Sequence, residues 1–282
     1  MLFILFGKSL SLFGFNYIKY TSKILAYLFY NIVRLRRSVV IRNLTKAFPN
    51  LSEKEINSIA HKNYVSIART FLELFLIPKL SREEISALFT INNLELIHKK
   101  KSEGRGLILL TAHYGNWELA AIATGIQLST SINVLVKEQS NPFVTKWLKS
   151  VRENFGNKEI PLGISVKEIF KSLKNDKIVG VVGDQRGPKD GVKVNFLGTK
   201  TSTFIGTASI ALKLKSPVLV LFSIRKPDGK YEGVIEEICL EDLQGDNEQM
   251  VREFNQKYMQ LLENVIVQNP EQWFWMHNIW KY

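Results

Sequence analysis

Residues 106–125 read Gly-Leu-Ile-Leu-Leu-Thr-Ala-His-Tyr-Gly-Asn-Trp-Glu-Leu-Ala-Ala-Ile-Ala-Thr-Gly, with histidine at position 113 and glutamate at 118. Residues 106–111 form a short apolar run opened by glycine, the pattern of a strand buried on both faces. His113, Tyr114, Gly115 and Asn116 make a tight loop. From Trp117 the apolar residues Leu119, Ala120, Ile122 and Ala123 recur at helical spacing, and Gly125 is the expected C-cap. His113 therefore falls just past the C-terminal end of a strand, and Glu118 in the first turn of the next helix. In open α/β sheets that end of the strands is where ligands bind. A carboxylate there can take one imidazole N–H, fix the tautomer and leave the other nitrogen as a base. An ordinary loop histidine and an acid favoured by the helix dipole are the competing reading of the same two residues. Their position at a strand end beside Gly-Asn favours the site.

Outward from this unit, strands and helices alternate. Residues 132–137, 178–183, 217–224 and 231–238 read as strands, and residues 192–197 as extended. Residues 94–101, 142–155, 166–174, 203–214 and 248–267 read as helices. Ser52 with Glu55, and Ser81 with Glu84, are capping boxes, and the helix after Ser52 is expected to run to Leu76 before Pro78. The expected fold is α/β: a mixed, mostly parallel central sheet flanked by helices, with an N-terminal helical membrane-associating segment. Residues 1–48 are assigned to that segment and residues 49–282 to the α/β domain.

Charge distribution supports the division. The 282 residues carry a formal net charge of +12. Eight of the cations, Lys8, Lys19, Lys23, Arg34, Arg36, Arg37, Arg42 and Lys46, lie within residues 1–50, which contain no acid. They are interleaved with Leu, Phe, Ile and Tyr. The lysines interrupt any run of the roughly 20 apolar residues that a spanning helix needs. Helices lying in one leaflet fit better, with the arginines on an anionic lipid face. Nucleic-acid binding would put the basic excess on the folded domain and is not expected. A non-catalytic basic membrane-binding protein remains the alternative from another class. The single cysteine, Cys239, excludes an internal disulfide and reads as core on a strand. His61, His98, His113 and His277 have no metal-ligand spacing, so no metal is expected.

Four stretches carry a resemblance. Arg34 to Pro49 has an Arg-rich, Asn-Leu, Phe-Pro order, and Thr111 to Glu118 contains His-Tyr-Gly-Asn-Trp-Glu. Asp184 is followed by Val194-Asn195-Phe196-Leu197-Gly198 and Thr201 to Leu212, and the tail contains Pro270-Glu271-Gln272-Trp273-Phe274-Trp275-Met276-His277. In this order they resemble the glycerolipid acyltransferase superfamily, and more closely the bacterial lipid A biosynthesis lauroyl/myristoyl acyltransferases. The chain departs from that pattern at Val136-Lys137, where Tyr-Arg is usual, and in the tail, where the usual His-Arg-Arg-Trp-Lys reads His277-Asn278-Ile279-Trp280-Lys281. Both departures remove arginines suited to an anionic head group.

The resemblance implies O-acyl transfer from acyl carrier protein or coenzyme A to a hydroxyl of a lipid A precursor. A lysophospholipid, a phosphoinositide mannoside or an aminolipid is the alternative acceptor. It implies His113 as general base with Glu118 orienting it, and Arg152, Asp184, Lys137 and Asn116 as substrate-binding candidates. Lys193 and Lys200 are weaker candidates for an acidic carrier, and Phe196, Thr203 and Phe204 for an acyl slot. No cofactor beyond the thioester co-substrate is expected. The expected state is a monomer at the cytoplasmic face of a bacterial inner membrane.

Overall fold

The computed structural model describes residues 7, 9, 14–162 and 165–281. Lys8 and most of residues 1–13 of the expected membrane-associating segment lie outside the described residues.

Among the elements described in full, the first are α1 (Gly14–Tyr27), a π-helical turn (Leu28–Ile32), α2 (Arg37–Ala47) and α3 (Glu53–Leu76). Then come α4 (Arg82–Leu88), β1 (Phe89–Ile91), α5 (Leu94–Lys101), β2 (Leu107–Thr111), α6 (Trp117–Gln127), β3 (Ile132–Val136), α7 (Pro142–Glu153) and β4 (Lys158–Pro161). The second half holds α8 (Ser165–Lys174), β5 (Ile178–Val182), a hairpin of β6 (Val192–Phe196) and β7 (Thr199–Thr203), α9 (Gly206–Leu214), β8 (Val218–Arg225), β9 (Tyr231–Ile238) and α10 (Asn247–Gln268).

Among the described residues, seven strands form the main sheet in the order β1-β9-β8-β2-β5-β3-β4. All neighbours are parallel except β8 and β9. This is the mixed, mostly parallel α/β sheet the alternation predicted. Successive residues of the central strands feed opposite faces, as pleating requires. Ile108, Leu110, Val218, Val220 and Phe222 pack with α3, α8, α9 and α10. Leu107, Leu109, Leu219 and Leu221 pack with α4, α5, α6 and α7. Burial on both faces is why these strands read as unbroken apolar runs.

Both capping boxes form: Ser52 with Glu55, and Ser81 with Glu84. Three strands escaped the sequence reading. β1 and β4 are three and four residues long at the sheet edges, too short to show a period. β7 is Thr-Lys-Thr-Ser-Thr and replaces the start of the helix expected from residue 203. Its Thr201, Ser202 and Thr203 are buried because their hydroxyls donate to backbone carbonyls, Thr201 to Ile279 and Thr203 to Val192. Leu197 and Gly198, both at positive φ, turn the hairpin. Gly125 is not a C-cap: α6 continues past it, and a Cβ there would lie 2.8 Å from Asn157 Oδ1. Cys239 falls just past β9 and is half-buried.

The N-terminal helix packs on α3 through Ile18, Leu72 and Leu76. Its buried side is otherwise small, Thr21, Ser22 and Ala26, while Tyr17, Tyr20, Ile24 and Tyr27 are exposed. Leu28, Ile32, Val33 and Leu35 continue the exposed apolar stripe. No helix among the described residues is long and apolar enough to cross a membrane.

Candidate active site

Strand order brings the site together. β2 and β5 are parallel neighbours, so His113, two residues past β2, meets Asp184, two residues past β5. Asp184 Oδ1 lies 2.7 Å from His113 Nδ1. Asp184 Oδ2 accepts from the His113 backbone N–H at 3.0 Å and from Trp273 Nε1 at 2.8 Å. A carboxylate only accepts, so Nδ1 carries the proton and Nε2 keeps the lone pair. Burial alone would push Asp184 up, but His113 and the three donated hydrogen bonds outweigh it and hold the carboxyl below its ordinary range. Burial likewise works against the imidazolium, yet the charge and hydrogen bond of Asp184, with a smaller contribution from Glu118, raise His113 above the ordinary histidine value. The imidazole is 21% exposed and Asp184 only 3%, so the acid is sealed behind a ring that solvent still reaches.

The loop is fixed from three directions. Gly115 has φ +59°, and a Cβ there would sit 1.8 Å from the Ser223 carbonyl oxygen on β8. Only glycine fits that backbone and that approach. Thr70 Oγ1 on α3 donates to the Gly115 carbonyl at 2.8 Å. The C-terminal tail crosses the loop: Gly115 N donates to Gln272 O, and Phe274 N to His113 O, both at 3.0 Å. Trp117 meets the His113 ring edge-on at 4.9 Å between centroids.

The remaining predicted residues divide. Glu118 does not orient the imidazole. Arg152, at the end of α7, takes its carboxylate in a fork, Nε to Oε2 at 2.8 Å and Nη2 to Oε1 at 2.5 Å. The same guanidinium donates Nη1 to Glu159 Oε1 at 2.7 Å. Arg152 is thus engaged by two acids rather than open to substrate as expected. Asn116 does not face substrate either. It is fully buried, its Oδ1 capping α6 at Leu119 N (3.0 Å) and its Nδ2 donating to Glu73 Oε2 (3.0 Å). Asp184 is buried against His113 and Trp273 rather than exposed. Lys137 stays exposed beyond β3 and joins none of these contacts. Phe196 is core against Trp273 and Trp280, whereas Phe204 is exposed. Lys193 and Lys200 are surface residues.

Three participants went unread in the sequence. Trp273 lies in the quoted tail motif, but nothing local says its indole reaches Asp184. Glu159 lies on the unrecognised edge strand. Glu73, an acid inside the apolar run of α3, was the readable signal: it is 1% exposed and receives Arg69 Nε at 2.8 Å, the Tyr231 hydroxyl and Asn116. Arg225 completes that buried network, bonding Tyr231, Ser66 and Thr70. His277 accepts from the Arg186 backbone N–H through Nε2 at 2.9 Å. Burial is the main force pushing its pKa down to about 4, with nearby cations adding to it, so it is neutral near pH 7. Among the described residues no group of three or more His, Cys, Asp or Glu is arranged to hold a metal.

An imidazole at the C-terminal edge of an α/β sheet, held by a buried acid, suits many reactions; likeness to known proteins narrows them. The family of bacterial lipid A biosynthesis acyltransferases matches residues 1–282. The chain belongs to that family. It is therefore an acyltransferase. It is 27% identical over 253 residues to a lipid A biosynthesis lauroyltransferase of Escherichia coli K12, covering 88% of this chain and 80% of that protein. It is 27% identical over 240 residues to a lipid A biosynthesis acyltransferase of Haemophilus influenzae, covering 83% and 72%. A phosphatidylinositol mannoside acyltransferase of Mycobacterium tuberculosis is 22% identical over 160 residues, covering 55% and 50%.

Proposed function

We propose that the chain is a membrane-associated O-acyltransferase moving a fatty acyl chain from a thioester, on acyl carrier protein or coenzyme A, to a hydroxyl of a lipid A precursor. The observation that carries this reading is the His113–Asp184 pair with Nε2 open. As the acceptor oxygen attacks the thioester carbonyl, its proton passes to His113 Nε2. The O–C bond forms, the C–S bond breaks, and the proton returns to the thiolate that leaves. Asp184 orients the ring and stabilises the imidazolium; no serine or cysteine nucleophile is needed. General-base assistance is worth roughly 10²–10⁴-fold. Beyond the thioester co-substrate the reaction calls for no cofactor.

Residues 1–48 are the membrane-associating part. The exposed stripe of Tyr17, Tyr20, Ile24, Tyr27 and Ile32 beside Lys19, Lys23, Arg34 and Arg36 suits the anionic cytoplasmic face of an inner membrane. Lys137 is a candidate contact for an anionic part of either substrate. The mycobacterial relatives support a second acceptor class, a phosphoinositide mannoside.

The test is transfer by the purified full chain from acyl-carrier-protein or coenzyme A thioesters to a lipid A precursor or a phosphatidylinositol mannoside, read by mass spectrometry. One acyl mass added to one acceptor, and a loss of at least about 100-fold in His113→Ala, is expected. Full transfer by His113→Ala would reject the base. Transfer only to the mannoside would replace the acceptor.

A further inference from the structure

Arg152 is gripped from both sides. The fork of Nε and Nη2 on Glu118 and the single bond of Nη1 to Glu159 link α6, α7 and β4. The three side chains are 12%, 13% and 9% exposed for Glu118, Arg152 and Glu159, so the contacts within the trio are largely shielded from water, whereas their field at the His113 ring, 21% exposed, is screened by solvent. Two carboxylates and one guanidinium leave the trio one negative charge in excess. Its Glu118 end lies in the first turn of the helix whose opening residue, Trp117, packs on the imidazole, and the Glu118 charge acts on that ring.

Two requirements conflict at Glu118. A negative charge near His113 favours the imidazolium that forms on proton transfer. A mobile carboxylate would do harm, however. Nδ1 already belongs to Asp184, so a glutamate reaching the ring could bond only Nε2, the atom that must receive the acceptor's proton. The fork restrains Glu118, but Arg152 alone would also cancel its charge. A second acid on Arg152 restores that charge without loosening the fork.

We propose that Glu159 is a positioning residue for acyl transfer: anchored on Arg152 Nη1, it keeps the Glu118 fork in place and the trio net negative, so that the imidazolium is favoured while Nε2 stays open. This rests on His113 being the base. Besides Glu118, the titratable groups facing His113 are Asp184 beyond β5, His277 of the C-terminal tail and, through Asp184, Tyr258 of α10.

The test follows the His113 ring by NMR titration in the full chain, its resonance assigned with His113→Asn, alongside the pH dependence of kcat/KM. Glu159→Gln and Glu118→Gln each remove one negative charge and are expected to lower the ring's titration midpoint by about half a pH unit. Arg152→Gln removes the positive charge and is expected to raise it by a similar amount, the size of one unit charge acting through a largely water-like dielectric over several ångströms. The acid limb of the rate profile moves with it, and KM for the thioester stays within about twofold. A clamp that is only structural lowers the rate and leaves the midpoint in place. Midpoints that stay within about 0.1 unit, or that move the same way in all three variants, overturn the proposal. So does a raised KM in Arg152→Gln with an unmoved midpoint, which would make Arg152 a donor contact. Should Glu159→Gln not fold, Glu118→Gln and Arg152→Gln still carry opposite signs. A wild-type chain that transfers no acyl group refutes the functional reading, and the titration still decides the clamp.

Discussion

Asp184→Asn separates the two acids that could serve His113. The substitution keeps size and removes one charge. In the wild type Oδ2 accepts from two donors fixed by the fold, the His113 backbone N–H and Trp273 Nε1, and Oδ1 accepts from Nδ1 alone. The asparagine oxygen will therefore take the Oδ2 position, leaving its NH2 against the imidazole. A donor facing Nδ1 forces that nitrogen to accept, which moves the ring proton to Nε2. The base is then lost at the atom where it is needed. A wrong tautomer in a comparable acid–histidine arrangement slows turnover about 10⁴-fold, or about 5.4 kcal/mol at 1.36 kcal/mol per factor of ten. Turnover is expected to fall here by about 10³–10⁴-fold, measured at saturating thioester with a fixed acceptor. With His113 as the base, the acid limb of the wild type is expected above the ordinary histidine value of 6.5, since Asp184 raises His113; in Asp184→Asn the residual activity is expected to lose that displacement. Stability follows the same pair. The contribution of depressed Asp184 is present above the ordinary aspartate value of 3.8 and lost as pH falls through its lowered one. That of raised His113 is present below 6.5 and lost as pH rises through its raised one. The gap in melting temperature between wild type and variant is thus widest between those two ordinary values. Turnover by Asp184→Asn within about tenfold of the wild type would refute the reasoning.

Three further outcomes are expected. Gly115→Ala drives a Cβ into the Ser223 carbonyl and should cost about 3 kcal/mol or more, roughly 6–10 °C of melting temperature; an unchanged melting curve would mean that the loop shifts freely. Glu73→Ala leaves Arg225 buried without its acid and should cost about 3–5 kcal/mol by denaturant titration, against a small effect if water enters and solvates the guanidinium. Ile24→Asp and Ile32→Asp, both on the exposed stripe, should each weaken co-sedimentation with anionic vesicles by about tenfold or more at unchanged melting temperature; unaltered binding would place the membrane contact elsewhere.

Local pattern determined much of this protein. The buried strand, tight loop and helix of residues 106–125 needed only apolar periodicity and a glycine to be read, and the capping boxes at Ser52 and Ser81 needed only neighbours three residues away. The family signature and the basic, acid-free N-terminus were equally legible. What the chain alone did not decide is which acid meets the imidazole. Glu118 is close in sequence, but the helix that begins at Trp117 carries its carboxylate to Arg152. Asp184 is 71 residues away, and it arrives because β5 pairs beside β2. The hydroxyl-lined strand β7, the buried Glu73–Arg225 network and the indole of Trp273 on Asp184 have the same origin. In each, a polar group's partner lies across the fold, and local sequence carries no record of which polar atoms the packing of sheet and helices will bring within about 3 Å.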